Sequence, residues 1–483
     1  MKIWDAMLSR IKSYSNLYPI LGLLIFLYIC IISNNVLLAD DLSKLYEGIH
    51  NKDNYGSFLG SFMSGTNMTS RPISAFFTGS IIYLLKYNPL YYYLAFIFFL
   101  LSLFWVKALS YQFFKNEYLA IAATFLYATI PIGTSLVFSP IMLNSALATI
   151  FFCSSVIIFM KKKKGYIFLS AALFVFSFLS YEIFAPCILI FVFLSDKPKN
   201  IFFHFIISIG LIIFYKKVIE PSVFESFYQR ERLQEVLNIN RAYSNIILIG
   251  KLIFRDLPLT FYKSLVSLKY FDMLDWATFF LFNLSSLLIL KKLKFETNFK
   301  QNKITKFLIF IFLFSFMIFF MSNYKPTLFG FDNRNLGGVK LFFILTIVSI
   351  IITIASKTNE NVTKYALITL TILFSITIIS TKNAWLYASK FNRDLFSEVK
   401  QAIIKEDALK ADTIYIKYDV FKKLKHDPQL LLREQIFFYN WESPLLKQQN
   451  GLEKVNIYLF HENNIPKKSY YIYDYDKKIL ILK

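Results

Sequence analysis

The sequence lacks the residue patterns on which several large classes of protein depend. It contains only three cysteines, Cys30, Cys153 and Cys187, and all lie inside apolar segments, so we expect neither disulfides nor a cysteine metal site. The four histidines are scattered without ligand spacing, so we expect no bound metal. Neither a Walker phosphate loop nor a GxGxxG motif is present, and we therefore expect no nucleotide substrate and no cofactor. The first apolar segment lacks a signal-peptide cleavage pattern and is expected to be retained.

Apolar and aromatic residues dominate the chain instead. Hydrophobic residues make up 56% of the 483 residues, aromatic residues make up 19%, and the mean hydropathy is +0.49. Soluble domains of this size do not have that composition, whereas each membrane helix needs about 20 apolar residues. The net charge of +22 comes mostly from lysines in short loops between apolar segments, so we exclude a nucleic-acid partner. The composition predicts a polytopic α-helical membrane protein surrounded by membrane lipids.

The distribution of lysine predicts the orientation of the spans. The lysine run at 161–164 is the strongest cytoplasmic marker, and the N-terminal segment is also basic. Five apolar segments separate the two regions, and an odd number of crossings would place the regions on opposite sides of the membrane. One segment therefore does not cross, and 72–87 is the weakest candidate span. We expect 72–87 to be an interfacial helix on the outer face, which leaves about eleven spans. The predicted spans are 17–38, 90–109, 118–137, 141–160, 166–180, 183–195, 201–219, 273–290, 307–322, 336–355 and 365–381.

The composition changes after residue 381, so we divide the chain into a membrane domain, 1–381, and a small extracytoplasmic α+β domain, 382–483. Residues 385–409 have the period of an amphipathic helix. Its predicted apolar face consists of Phe391, Leu395, Val399 and Ile403. Three later segments alternate like strands, and the last has a hairpin turn at 476–478. These segments are 413–421, 455–460 and 470–482.

Two adjacent acids, Asp40 and Asp41, directly follow the first predicted span. Each carboxylate resists desolvation and raises the proton affinity of the other, so the pair is costly at a membrane exit. Such carboxylates suit the removal of a proton from a hydroxyl that attacks a lipid-borne substrate, although ordinary loop acids fit the same spacing. The sequence leaves open which of the two aspartates is the base.

Arginine is concentrated in the predicted outer loops, while only Arg10 falls on the cytoplasmic side. The guanidinium fork matches phosphate oxygens bidentately, which makes outer arginines candidates for binding a lipid phosphate. Anchoring to lipid headgroups is the alternative, and Asp332 is an alternative structural partner for Arg334. The outer arginines are Arg71, Arg230, Arg232, Arg241, Arg255 and Arg334.

Several short segments together resemble the C-type glycosyltransferase superfold (GT-C), and within it the serotype-converting type II O-antigen glucosyltransferases. The resemblance rests on the order and sidedness of the segments over most of 17–381. Ser70 and Glu182 depart from the family pattern, which usually has Gly and Gln there. The matching segments are Asp40-Asp41-Leu42-Ser43-Lys44, Ser70-Arg71-Pro72, Asn88-Pro89-Leu90, Gln112-Phe113-Phe114-Lys115, Ser180-Tyr181-Glu182 and Asn333-Arg334-Asn335-Leu336.

The resemblance implies a GT-C-like fold and inverting transfer of a sugar, with glucose expected, from a polyprenyl phosphate donor to a hydroxyl of a cell-surface polysaccharide (O-antigen). It implies a site on the periplasmic side of the bacterial inner membrane, where the topology also places the C-terminus. A donor-synthesising glycosyltransferase and a flippase are expected in the same pathway. Asp40 or Asp41 would be the catalytic base, and Arg71 and Arg334 would bind the donor phosphate. Candidates for the donor or acceptor pocket are Tyr181, Glu182, Tyr228, Arg230 and Arg232, with packing at a helix link as the alternative for the first two.

Two other functional classes remain open at this stage. An O-antigen polymerase is also polytopic and rich in aromatic residues, but it predicts catalytic residues in large middle loops and no acid pair after the first span. A lipid-linked glycan transporter or flippase predicts charges buried within spans and internal repeats. The predicted spans are nearly free of charge, and the sequence has no evident repeat.

Overall fold

The structure of the chain is a computed structural model. It describes residues 17–32, 36–38, 40–50, 54–65, 68–86, 88, 90–162, 164–195, 197–223, 239–291, 301–322, 324–355, 360–406, 413–417, 427–431, 443–460 and 470–482. Within these residues, seven helices are long and apolar enough to cross a membrane. The chain is a polytopic helical membrane protein, as its composition predicts. The seven helices are Leu90–Phe114, Pro140–Lys161, Pro198–Val223, Met273–Lys291, Asn302–Met321, Phe331–Ala355 and Asn361–Lys405.

The α-helices are numbered here in chain order, and short 3₁₀ or π segments join several of them. The helices are α1 Leu17–Leu27, α2 Asp40–His50, α3 Tyr55–Gly65, α4 Pro72–Leu85, α5 Leu90–Phe114, α6 Glu117–Thr129, α7 Ser135–Phe138, α8 Leu143–Lys161, α9 Tyr166–Ser180, α10 Ile190–Leu194, α11 Pro198–Phe214, α12 Glu220–Val223, α13 Ile239–Lys251, α14 Leu257–Ser267, α15 Met273–Lys291, α16 Gln301–Ser315, α17 Ile318–Met321, α18 Gly337–Ala355, α19 Glu360–Lys405 and α20 Ser443–Gln449. The joining segments are Tyr28–Ile32, Pro140–Met142, Glu182–Leu189, Tyr215–Ile219, Leu252–Asp256, Leu268–Tyr270 and Phe331–Leu336.

The predicted span 118–137 is wrong as a single helix. Helix α6 ends at Thr129, and Ile130 adopts an extended conformation with φ −62° and ψ 140°. The next residue is Pro131, which disfavours helical geometry in the residue before it. Gly133, with φ 65°, then turns the backbone into the short helix α7. Three other predicted spans are apolar helices shorter than a full crossing, namely Leu21–Ile31, Tyr166–Ser180 and Glu182–Leu194.

Helix α4 corresponds to the segment predicted to lie at the interface. It begins with Pro72, which suits a first helical position because that N–H has no intrahelical acceptor. Its 14 residues span about 21 Å, less than a bilayer core. It packs closely on α3, since a Cβ added at Gly79 would lie 3.0 Å from Cδ1 of Leu59. Its placement at the membrane surface stays a prediction.

Helix α19 joins a predicted span and a predicted amphipathic helix into one element. It is 46 residues long, or about 70 Å, so it extends far beyond the thickness of a bilayer. The prediction of a separate helix starting at 385 is therefore wrong, and the predicted domain boundary at 381 falls inside α19. Three residues of the predicted apolar face, Leu395, Val399 and Ile403, are buried, and Phe391 is partly buried against the same cluster.

Beyond α19 the described residues include a four-stranded sheet. Its strands are β1 Thr413–Lys417, β2 Asn456–Phe460, β3 Tyr471–Asp474 and β4 Ile479–Leu482. The order is β2-β1-β3-β4, with β1 parallel to both β2 and β3. Strands β3 and β4 pair antiparallel around a turn at 475–478, as the hairpin prediction requires. The remainder of the first predicted strand, 418–421, lies outside the described residues.

Helix α2, which carries the acid pair, packs against the C-terminal part of the chain. Leu42 and Leu45 of α2 share one buried apolar cluster with Leu395 of α19, Leu445 of α20 and Ile414 of β1. Residues at least 350 positions later in the chain therefore position the helix on which Asp40 and Asp41 lie.

Candidate functional site

The two adjacent aspartates occupy the first turn of α2 and contact different partners. Asp41 is buried, and its carboxylate accepts hydrogen bonds from Ser139 Oγ and from the backbone N–H of Ile141, both at 2.8 Å. The carboxylate of Asp40 instead accepts a hydrogen bond from Nη1 of Arg334. The side chain of Asp40 is 33% exposed. Since neighbouring residues on a helix do not share a face, the pair divides into one buried and one accessible acid.

The protonation behaviour of Asp41 follows from its burial. Burial raises the pKa of Asp41 to about 7, and the hydrogen bonds from Ile141 and Ser139 oppose that rise. Repulsion from Asp40 adds a smaller upward contribution. The oxygens of Asp41 are already occupied by donors of the protein, so Asp40 is the more accessible carboxylate of the pair.

Arg334 lies on the 3₁₀ segment Phe331–Leu336, immediately before α18. Gly330, with φ 73°, turns the chain into this segment. The guanidinium lies 4.6 Å from the centre of the Phe331 ring, and its ion-pair partner is Asp40 rather than the neighbouring Asp332. The side chain of Arg334 is 24% exposed.

Arg71 forms the second ion pair of the site, at the start of α4. Its Nε and Nη2 donate to the two carboxylate oxygens of Glu182 at 2.8 and 2.6 Å, a bidentate arrangement. The hydroxyl of Tyr324 accepts from Arg71 Nη2 at 2.5 Å and donates to Glu182 Oε1 at 3.0 Å. The guanidinium of Arg71 therefore binds Glu182 through both Nε and Nη2.

Tyr181 connects the two arginine pairs. The Cζ atom of the Arg71 guanidinium lies 4.3 Å from the centre of the Tyr181 ring. Its hydroxyl donates to Oδ1 of Asn335 at 2.6 Å, and Asn335 is the neighbour of Arg334. Tyr181 is buried, which favours the packing interpretation of this residue over an exposed place in a pocket. Asp40, Arg334, Arg71, Glu182 and Tyr181 thus belong to one connected cluster.

A third ion pair supports the segment before Arg71. Nζ of Lys216 lies 3.2 Å from Oε2 of Glu220 and donates to the carbonyl oxygen of Ser70 at 3.3 Å. Thr69 Oγ1 donates to Glu220 Oε1 at 3.0 Å, and the hydroxyl of Tyr215 donates to the carbonyl oxygen of Thr69 at 2.6 Å. Lys216 and Glu220 were not among the residues predicted from the sequence. A local pattern could have indicated them, because opposite charges four residues apart at the outer end of a predicted span can pair on one helix face.

Other functional candidates were missed because no local pattern distinguishes them. Tyr324 and Asn335 join the cluster only through partners more than 140 positions away. Tyr91 lies close enough to Asp41 to interact with its charge. Its buried hydroxyl has no hydrogen-bond partner among the residues that the structure describes.

Not every predicted site residue joins the cluster. Tyr228, Arg230 and Arg232 lie outside the described residues. Arg241 donates to the carbonyl oxygen of Ser322, and Arg255 forms an ion pair with the adjacent Asp256 at 2.6 Å. Over the described ranges, no group of three or more His, Cys, Asp or Glu residues has an arrangement suited to a metal ion.

A small recess whose lining residues are mostly apolar lies near the acid pair. It lies between the end of the first helical segment, the first half of α5 and residues 136–146. Ser139 lines the recess and also donates to Asp41, so the recess begins where the buried acid is held. The lining residues include Ile31, Tyr92, Phe96, Phe99, Val137 and Leu143.

Comparison of the chain with models of protein families finds no match, and comparisons with curated proteins and with solved structures find none either.

The cluster combines a partly exposed carboxylate with two arginines, groups that can respectively accept a proton and bind an anion. Asp40 is a carboxylate open to solvent, and Arg334 and Arg71 carry donors in forks that match phosphate oxygens. Each cation of the cluster already has a carboxylate partner, so an incoming anion exchanges with a carboxylate instead of entering an unpaired site.

Proposed function

We propose that the protein transfers a sugar from a polyprenyl phosphate donor to a hydroxyl of a cell-surface polysaccharide, with inversion at the anomeric carbon. The observation that carries the proposal is the direct ion pair between Asp40 and Arg334. It brings a partly exposed carboxylate and a partly exposed guanidinium together, from the first outer segment and from a turn 294 residues later. A general base and a phosphate-binding group are the two components that such a transfer requires.

In the proposed reaction, Asp40 takes the proton of the acceptor hydroxyl as its oxygen bonds to the anomeric carbon. The bond from that carbon to the phosphate oxygen breaks, and polyprenyl phosphate leaves. Arg334 and Arg71 stabilise the charge that develops on the departing phosphate. Binding of the donor phosphate to Arg334 displaces the carboxylate of Asp40 and frees it to act as the base.

The membrane setting of the acid pair supports a lipid-linked donor. The small recess beside Ser139 has mostly apolar lining residues and borders α5, one of the helices long and apolar enough to cross a membrane. The same proposal includes a GT-C-like fold, glucose as the transferred sugar, and a site that faces the periplasm from the bacterial inner membrane.

Three charged side chains are buried within candidate spans, which keeps a lipid-linked glycan transporter as the alternative function. Lys340 is buried in the first turn of α18, close after Arg334. Asp275 and Lys382 form a buried ion pair between the first turn of α15 and the residue after the predicted span 365–381. Lys340 lies inside the candidate span Phe331–Ala355 and Asp275 inside Met273–Lys291. A transport path also places ionisable groups inside spans, so sugar transfer is the observation that separates the two functions.

The test is sugar transfer by the purified protein in lipid nanodiscs, with radiolabelled polyprenyl phosphate glucose and isolated polysaccharide as substrates. We expect label in the polysaccharide with the wild-type protein, and almost none with Asp40→Asn. The matched control is Glu453→Gln, which neutralises an exposed acid in the C-terminal part. Equal transfer by wild type and Asp40→Asn contradicts the mechanism. No transfer by the wild type from a panel of polyprenyl phosphate hexoses contradicts the function.

A further inference from the structure

One helical segment of the structure buries several polar side chains and exposes a row of large apolar ones. It runs without a break through α13, the π segment Leu252–Asp256 and α14, and we call residues 239–267 the inverted helix. A helix that faces water has the opposite arrangement, with its apolar stripe against the protein core.

The inward side of the inverted helix buries five polar side chains, beside Leu252 and Leu257 of the main apolar core. Thr260 and Ser264 are fully buried, and their hydroxyls donate to backbone carbonyl oxygens one turn earlier. Asn245 Nδ2 donates to the carbonyl oxygen of Phe319 at 2.7 Å, and Ser267 shares a hydrogen bond of 2.5 Å with Ser380. The polar side chains on this side are Asn245, Asp256, Thr260, Ser264 and Ser267.

The outward side is a stripe of large apolar and aromatic residues at helical spacing. Phe254 is 82% exposed and Tyr262 is 64% exposed. We call these residues the outward stripe: Tyr243, Ile246, Ile247, Phe254, Tyr262, Leu265 and Val266. A contiguous apolar surface of this kind indicates contact with a membrane or another apolar partner.

Three contacts place the inverted helix across the ends of the membrane helices on the side of the candidate site. Near its start, Arg241 donates to the carbonyl oxygen of Ser322, the residue after α17. Further along, Lys263 lies 6.0 Å from the centre of the Phe329 ring, and Ser267 bonds Ser380 at the end of a predicted span. The segment it touches, 322–336, carries Tyr324 and Arg334.

The outward stripe continues into the exposed apolar surface of a candidate membrane span. Helix α15 is one of the seven long apolar helices and begins six residues after the inverted helix. Met273 and Leu274 at its start and Phe280 one to two turns later are exposed. The charged residues Lys251 and Arg255 are exposed beside the stripe, where long side chains reach lipid phosphates.

We propose that the inverted helix lies in the membrane interface on the side of the candidate site, with the outward stripe in the hydrocarbon of that leaflet. The sequence prediction placed this segment in an outer loop, and the arrangement of its polar and apolar sides points to phospholipid as its partner. Because the inverted helix contacts 322–336, lipid contact also supports the position of Arg334. The inference does not depend on the reaction that the site performs.

The experiment uses single cysteines introduced as Phe254→Cys or Tyr262→Cys and labelled with bimane in lipid nanodiscs. The nanodiscs contain phosphatidylethanolamine and phosphatidylglycerol, with or without a nitroxide on an acyl chain near the headgroup. The native cysteines are buried, and the labelled wild-type protein measures their background. The matched control is Lys477→Cys in the exposed hairpin turn.

We expect both stripe labels to lose most of their fluorescence to the lipid nitroxide and little to iodide in the water. The label at Lys477→Cys should show the reverse. Iodide quenching of the stripe labels equal to that of the control overturns the proposal, because the stripe then faces water. Quenching by neither reagent also overturns it, because protein then covers the stripe. Two separate stripe positions keep the test valid if one variant fails to fold, which gel filtration detects.

Discussion

Replacing Asp40 by Asn keeps the size of the side chain but removes its charge and its basicity. A general base contributes about 10² to 10⁴-fold to a proton transfer, so we expect sugar transfer to fall by about 10²-fold or more. Folding should be little affected, since both side chains of the Asp40–Arg334 pair are partly exposed and such pairs contribute about 0–1 kcal/mol.

The adjacent acid provides the contrast, because Asp41 is buried and held by the protein. Asp41→Asn can still accept from the N–H of Ile141 and can donate to Ser139 Oγ, so we expect a smaller loss of transfer than for Asp40→Asn. Asp41→Ala leaves the buried N–H of Ile141 without an acceptor. That change should lower the free energy of unfolding by about 1–3 kcal/mol and reduce the melting temperature.

The assay compares initial rates of transfer from polyprenyl phosphate sugar at saturating substrates and matched amounts of folded protein. Glu453→Gln is the control for loss of an exposed acid, and it should retain the wild-type rate. A wild-type rate for Asp40→Asn refutes the general-base role. A larger loss for Asp41→Asn than for Asp40→Asn refutes the assignment of that role to Asp40.

If Arg334 binds the donor phosphate, Arg334→Lys should retain partial activity, and Arg334→Ala should lose about 2–4 kcal/mol of transition-state stabilisation. Near-wild-type kcat/KM in both variants would identify a headgroup anchor. Tyr324→Phe removes two hydrogen bonds to charged partners, so its thermal melt should show a loss of about 1–3 kcal/mol, and an unchanged melt would contradict this role. The folded-state pKa of Asp41, about 7, exceeds its ordinary value of 3.8, so this carboxyl stabilises the fold below pH 4 and loses that contribution as pH rises to 7. In thermal melts between pH 4 and 7, the stability of Asp41→Asn should not show this dependence on pH. A dependence equal to that of the wild type would contradict the assignment. Reporters fused after Lys164 should be cytoplasmic, and those at Asn54 and the C-terminus periplasmic; a cytoplasmic C-terminus would mean a miscounted span.

The membrane class and several local elements could be predicted from sequence because local physics decides them. Long continuous apolar runs can satisfy their backbone hydrogen bonds in hydrocarbon only as helices, so the sequence predicts a polytopic helical protein. The hairpin at 470–482 follows from alternation around a polar turn, and the buried face of Leu395, Val399 and Ile403 follows from helical period. The end of α6 at Thr129 could also have been predicted, because Pro131 disfavours helical geometry in the residue before it. The long apolar run around it indicated a single span instead.

The continuity of α19 could not be predicted from its own residues. The polar residues after 381 resemble a break between a span and a separate helix. In the structure, Lys382 pairs with Asp275 of α15, and Asn383 Nδ2 donates to the same carboxylate at 2.7 Å. Because a distant helix satisfies these polar groups, the backbone remains helical through the end of the span.

For the candidate site, the sequence by itself determined which residue types stand at the ends of the apolar segments, since charge is excluded from the hydrocarbon. It therefore selected Asp40, Asp41, Arg71 and Arg334 as candidates. Only the tertiary structure decided their partners: Arg334 pairs with Asp40, Arg71 is held by Glu182, and Asp41 is buried. Ion pairs between segments 111 and 294 residues apart depend on how the helices pack, and no local pattern encodes that packing.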